Sequence, residues 1–141
     1  MIAGVGQGYI TTTPIQLAIM TAMIANNGEI NGLRLLRPET VEILSKVQWE
    51  GICGTTNTPR RFGLGFLHNC PPSVPMGTNM KAFGHPGSGG ALGFCDIENN
   101  RSFGFCTNFQ PAGHAHIYST IICEGRRQRS KNEGGAGDVY A

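Results

Sequence analysis

Nowhere in this 141-residue sequence do two cysteines stand in a C-x-x-C pair, although there are five of them. Cys53, Cys70, Cys95, Cys106 and Cys123 are widely spaced and odd in number, which removes zinc-ribbon and dithiol redox arrangements. They read as mostly reduced and buried thiols. Charge is also scarce, with 14% charged residues and a net charge of +2. The signs are mixed along the chain, so no broad basic surface for nucleic acid or an anionic membrane is written here. The one basic run, Arg126-Arg127-Gln128-Arg129-Ser130-Lys131, leads into Glu133, glycines and Asp138, and residues 124–141 read as a polar, disordered tail. No apolar run approaches the ~20 residues that span a bilayer, so no transmembrane segment is expected. No signal peptide precedes the first motif, which leaves the compartment open.

Glycine and proline are plentiful instead, at 21 and 8 residues, without a fixed period. They imply many tight turns in a globular chain rather than a collagen-like or fully disordered one. With 40% hydrophobic residues the length suits one domain with one core, burying roughly two thirds of the unfolded surface.

Thr13-Pro14-Ile15-Gln16 writes a helix start: a threonine cap, proline at the first position, and a glutamine closing a capping box. From Ile15 to Ala25 the residues are apolar nearly all round, which predicts a buried helix stopped by Asn26-Asn27-Gly28. Glu29 to Leu36 reads as a turn and extended link. Pro38 to Lys46 predicts a second helix with acids in its first turn and a Glu42–Lys46 pair at helical spacing. Residues 48–60 read as loop, Phe62-Gly63-Leu64-Gly65-Phe66-Leu67 as a strand facing a close neighbour, and 71–80 as a proline-rich loop. Ala91–Ile97 and Ser102–Asn108, separated by Glu98-Asn99-Asn100-Arg101, predict an antiparallel hairpin. His116–Cys123 is ambiguous between strand and helix and is read as helix. The expected fold class is therefore α+β, an antiparallel β-sheet flanked by helices.

Several motifs dissolve on inspection. Gly4-Val5-Gly6-Gln7-Gly8 lacks the G-x-G-x-x-G spacing, and Gly87-Ser88-Gly89-Gly90 lacks the lysine that ends a phosphate loop. His114 and His116 form an H-x-H without a third ligand nearby, so no metal and no cofactor are expected. A serine nucleophile needs an activating base and a pair of oxyanion donors. None of Ser45, Ser73, Ser88, Ser102, Ser119 and Ser130 has a lysine three residues on, no Tyr-x-Asn occurs, and the one Ser-x-Asn, Ser130-Lys131-Asn132, falls in the polar tail.

The stretch "FGHPGSGGALGFCDIENNRSFGFCTN" nevertheless closely resembles the C-terminal sheet segment of the serine β-lactamase-related family: class C β-lactamases, D-alanyl-D-alanine carboxypeptidases, related esterases and animal homologues. In that family a K-T-G or H-x-G triplet sits on the strand bordering the active site, and here the triplet is His85-Pro86-Gly87. "ANNGEINGLRLLRPETVEIL" resembles the family's helix-turn-helix segment, with Arg37 where a small polar cap is usual. "GVGQGYITTTPIQLAIMTAMIANNG" resembles the matching segment of transpeptidase penicillin-binding proteins.

The resemblance covers roughly residues 4–112 and implies that 1–123 form the C-terminal portion of a partial β-lactamase/transpeptidase-like fold. It implies that His85 recognises a substrate carboxylate or assists proton transfer, and that the backbone N–H of Ser88 is one oxyanion donor. Pro86, Gly87 and Gly89 would line the substrate. A histidine merely satisfied by a backbone partner at a strand end is the other reading of His85. A neutral imidazole anchors a carboxylate less well than lysine, so an esterase-, amidase- or peptidase-like relation is expected rather than a lactamase.

The covalent chemistry is missing from these residues, so the resemblance leaves open whether the chain is an enzyme. It implies a C-terminal fragment of a serine hydrolase acting on amide, ester or β-lactam carbonyls, inactive alone, whose acyl substrate, a small molecule or peptide, binds only when the missing part is supplied. The alternative is a non-catalytic module that binds a partner by strand addition or assembles with copies of itself.

Overall fold

Helix α1, Pro14–Ala25, begins where the capping residues predict. The Gln16 amide donates to the Thr13 hydroxyl at 3.2 Å, and the Thr13 amide donates to the Gln16 side chain at 3.0 Å. These are the two halves of a capping box. The computed structural model describes residues 11–87 and 89–108, so expectations for 1–10, Ser88 and 109–141 lie outside the described residues. These include the Gly4–Gly8 run, the His114/His116 pair, Cys123, the helix at 116–123 and the tail.

The helix stops at Asn26, followed by Asn27 at φ 53° and Gly28 at φ 89°. A Cβ on Gly28 would collide with the Leu36 carbonyl, so this position needs glycine for space as well as for backbone conformation. The link after it is a small hairpin of β1 (Glu29–Ile30) and β2 (Leu33–Arg34). Asn31 and Gly32, at φ 50° and 77°, turn it, as a two-residue hairpin turn requires. Helix α2, Pro38–Leu44, stops two residues short of the expected end. Arg37 contributes no side-chain cap, and Pro38 at the first position with Glu39 in the first turn suffices to start it. The Glu42–Lys46 pair forms at 2.8 Å.

Six strands follow: β3 (Trp49–Ile52), β4 (Pro59–Phe62), β5 (Leu67–His68), β6 (Phe83–Pro86), β7 (Leu92–Asp96) and β8 (Arg101–Phe105). They make one sheet in chain order, every neighbour antiparallel. The α+β class is as expected, and the β7–β8 hairpin stands where its apolar runs place it.

Two expectations about the strands are corrected. Residues 48–60 are not loop, because they contain β3 and the first half of β4; both strands are largely exposed and lack the clean alternation that betrays a half-buried strand. Phe62–Leu67 is not one strand. Phe62 ends β4 and pairs with Leu67, which begins β5, while Gly63–Phe66 turns between them with Gly65 at φ 78° and the Gly63 amide donating to the Phe66 carbonyl at 2.8 Å.

The sheet has two differently packed faces. On one, Leu67, Val74, Met76, Ala82, Leu92 and Phe103 form a cluster closed by the 70–80 segment. Asn69 anchors that segment: its fully buried amide donates to the carbonyls of Gly77 (3.1 Å) and Asn79 (2.8 Å), and its oxygen accepts from the Met76 amide at 2.8 Å. On the other face, α1 lies across β7 and β8, and Ile24, Ala25 and Val41 gather around Phe83 and Cys95.

Gly93 and Gly104 are paired neighbours beneath the helix. A Cβ on Gly93 would stand 2.7 Å from the Leu17 side chain, and one on Gly104 2.7 Å from the Ala18 nitrogen. The helix therefore rests nearly backbone to backbone on the sheet. Its burial is one-sided, correcting the fully buried reading: Ala18, Thr21, Ile24 and Ala25 face inward while Ile15, Ile19 and Met20 are exposed. Among the described cysteines all four are free, but only Cys95 is buried, and Cys53, Cys70 and Cys106 are half-buried.

Candidate functional site

Strand β6 carries the His85-Pro86-Gly87 triplet at its end. On one side it pairs with β7 through Pro86↔Leu92, and on the other with β5 only as far as Gly84↔Leu67. Beyond Gly84 its outer edge has no strand partner among the described residues. The Gly87 amide donates to the Ala91 carbonyl at 2.7 Å, towards β7, so by strand alternation the Pro86 nitrogen faces the open side. A proline is tolerated there because it has no N–H to leave unpaired. The Gly90 amide donates to the Gly87 carbonyl at 3.0 Å with Gly90 at φ 90°, closing a tight connection to β7. Gly87 and Gly89 are half-buried in that connection, while Ser88, the expected oxyanion donor, is outside the described residues.

The His85 ring is exposed, and its Nδ1 lies 2.7 Å from the Pro86 carbonyl oxygen. A carbonyl can only accept, so Nδ1 carries the proton and the neutral ring offers Nε2 as an acceptor. The backbone partner foreseen for a merely structural histidine thus exists, and it occupies only one of the two ring nitrogens.

A second histidine went unnoticed in the sequence, which holds no spacing signal for it. His68 on β5 is 1% exposed, and its ring stacks on Phe83 at 5.4 Å between centroids. Its Nε2 has no hydrogen-bond partner among the described residues. Burial first, then the Arg61 guanidinium, hold its pKa below the ordinary histidine value, with the Lys46 carbonyl opposing weakly. Among the described residues no cluster of three His, Cys, Asp or Glu side chains could hold a metal, and no helix is long and apolar enough to cross a membrane.

A six-stranded antiparallel sheet with a helix across one face, and an H-x-G triplet where an inner strand outruns its neighbour, defines an α+β fold of the β-lactamase-like class. No protein-family model matches the chain. It is 36% identical over 93 residues to "Esterase/beta-lactamase LipL" of Mycobacterium tuberculosis, a match covering 65% of this chain and 20% of that protein. It is 35% identical over 57 residues to "Peptidoglycan D,D-transpeptidase MrdA" of Haemophilus influenzae, covering 40% of this chain and 9% of that one. Among solved structures, a novel penicillin-binding protein homologue from Caulobacter crescentus superposes with a TM-score of 0.56 at 27% identity, over 60% of this chain and 22% of that chain. The chain is a relative of the serine β-lactamase-related, penicillin-binding-protein-like hydrolases, and it spans about a fifth or less of the length of these curated relatives.

Proposed function

We propose that the chain is the C-terminal part of a serine acyl hydrolase of this superfamily, and that His85 and the Ser88 N–H form one wall of the acyl site. The nucleophile, its lysine and the tyrosine element are not among these 141 residues, so the chain alone performs no serine acylation. The observation that carries this reading is the His85–Pro86 bond beside an open strand edge. It holds the ring so that Nε2, an acceptor when neutral, can take a proton from a reacting group or hydrogen-bond a substrate N–H or O–H. A neutral ring in this tautomer presents a lone pair, not a donor, to a carboxylate. Ester or amide substrates without a carboxylate beside the acyl group suit it better than penicillins.

Intact mass after incubation with a reactive penicillin and, separately, an activated aryl ester tests the first half of the proposal. The expected result is no adduct on a folded sample, and a stoichiometric serine adduct overturns it. Co-expression with the S-x-x-K- and tyrosine-containing region of the mycobacterial relative tests the second half. A soluble complex should hydrolyse the aryl ester and lose most of that activity in His85→Ala; a complex that forms but stays inactive sinks the reading.

The exposed Ile15, Ile19 and Met20 stripe favours a second reading, a binding or self-assembling module. Concentration-dependent oligomers with no rescued hydrolysis would be its signature.

A further inference from the structure

His68 occupies a position that accommodates a charge poorly. The ring is 1% exposed, stacked on Phe83, and its Nε2 has no hydrogen-bond partner among the described residues. Space around that nitrogen is so limited that a Cβ on Gly63 would come within 2.7 Å of it. The charged groups facing the ring from the packed elements are few. Arg61 on β4 is the cation that acts on it, and Glu50 on β3 is engaged with that guanidinium at 3.3 Å. Following α2, Lys46 offers its backbone carbonyl, while its ammonium is paired with Glu42. From β6 comes Phe83, which carries no charge, and beyond it on β7 the Cys95 thiol donates to the Phe83 carbonyl at 3.5 Å and is kept neutral by burial. Protonation would therefore create a buried imidazolium beside a guanidinium, an arrangement that a folded chain relieves by opening rather than by holding the charge.

The strand that bears His68 is the weakest joint in the sheet. β5 has two residues; it is held to β6 by Leu67↔Gly84 and His68↔Phe83, and to β4 by the one pair Phe62↔Leu67. The whole β3–β4 hairpin reaches the rest of the sheet through it. The Arg61 guanidinium helps by donating to the Asn69 and Met80 carbonyls, and that is the same group a protonated His68 would repel.

We propose that His68 is a proton-operated latch: neutral, it seals β5 against β6; protonated, it releases β5 and the β3–β4 hairpin beyond it, baring the outer edge of β6 that ends at His85. The folded pKa lies below that of the open state, so the latch holds fully above the open-state value of about 6.5 and weakens as the pH falls through the window between the two. What the bared edge would mean for an acyl substrate rests on the proposed role of His85. The latch itself does not, and is tested without substrate.

The experiment is hydrogen exchange of the full chain at pH 7.5, 6.5 and 5.5, corrected for intrinsic rates, in the wild type and in His68→Phe, which keeps the stacking and removes the titration. The expected result is a loss of protection at Gly63 and Asn69 amides of about tenfold per pH unit below 6.5, while β7 and β8 amides hold and His68→Phe shows no such loss. Equal loss across the sheet, or the same loss in His68→Phe, overturns the latch. Should that variant fail to fold, the ring proton shifts of wild-type His68 decide. Titration near 6.5 without movement of the Asn69 amide overturns the proposal, and a titration displaced to lower pH together with that amide supports it.

Discussion

His85 Nδ1 and the Pro86 carbonyl oxygen, 2.7 Å apart, tie an exposed side chain to the backbone of its own neighbour at the end of an inner strand. The bond fixes the tautomer. Long-range proton–nitrogen spectra of the neutral ring should show Nδ1 protonated and Nε2 bare, and the opposite assignment would remove Nε2 as a proton acceptor at this site.

The glycines beneath α1 differ in what a methyl group would strike. At Gly93 it meets the flexible end of Leu17, whereas at Gly104 it meets the helix backbone at Ala18 and Pro14. Gly93→Ala should cost about 1 kcal/mol and Gly104→Ala about 3 kcal/mol, read from urea unfolding midpoints. Equal costs would mean that the helix lifts as a unit.

Asn69 holds three backbone groups of the 70–80 segment from a fully buried position. Asn69→Ala leaves them unpaired and should destabilise the chain by about 3 kcal/mol. Proteolysis within 71–80 should accelerate with it, whereas β7 and β8 stay protected until global unfolding.

The thiols divide by environment. The Cys53 thiol is lowered to about 7, first by the Thr56 hydroxyl and then by the Thr56 and Thr55 backbone. Burial first, and then Asp96, push Cys95 up to about 12. Iodoacetamide at pH 7.5 should label Cys53 first and Cys95 last among the described cysteines, by mapped mass, because the thiolate is the nucleophile. Labelling of Cys95 ahead of Cys53 would show that the β3–β4 turn is not formed in solution.

Much of this arrangement could be read in advance wherever local chemistry decides it. Thr13, Gln16 and Asn27-Gly28 write α1 because caps and left-handed stops are properties of single residues. The β7–β8 hairpin follows from two apolar runs and an asparagine turn. Gly63-Leu64-Gly65 misleads because large and small residues alternate in a tight turn as they do in a strand against a neighbour. β3 and β4 escape because an exposed hairpin carries no burial pattern. The apolar circumference of α1 overstates its burial, since composition does not reveal which neighbours exist. His85 is legible only through resemblance. His68 is legible only in three dimensions, where Phe83, Gly63 and Arg61 come to it from separate strands and turns.

The paired Gly93 and Gly104 have one more effect. Because α1 meets the sheet at Gly104 through main chain, its height there is set by atoms that every residue shares, and side-chain volume enters beneath it only through Leu17 at Gly93. The outward residues Ile15, Ile19 and Met20 are thereby released from positioning duty. Whatever surface this chain comes to meet there, the outer side of the helix can be recut to suit it while the strand ending in His85 stays where it is.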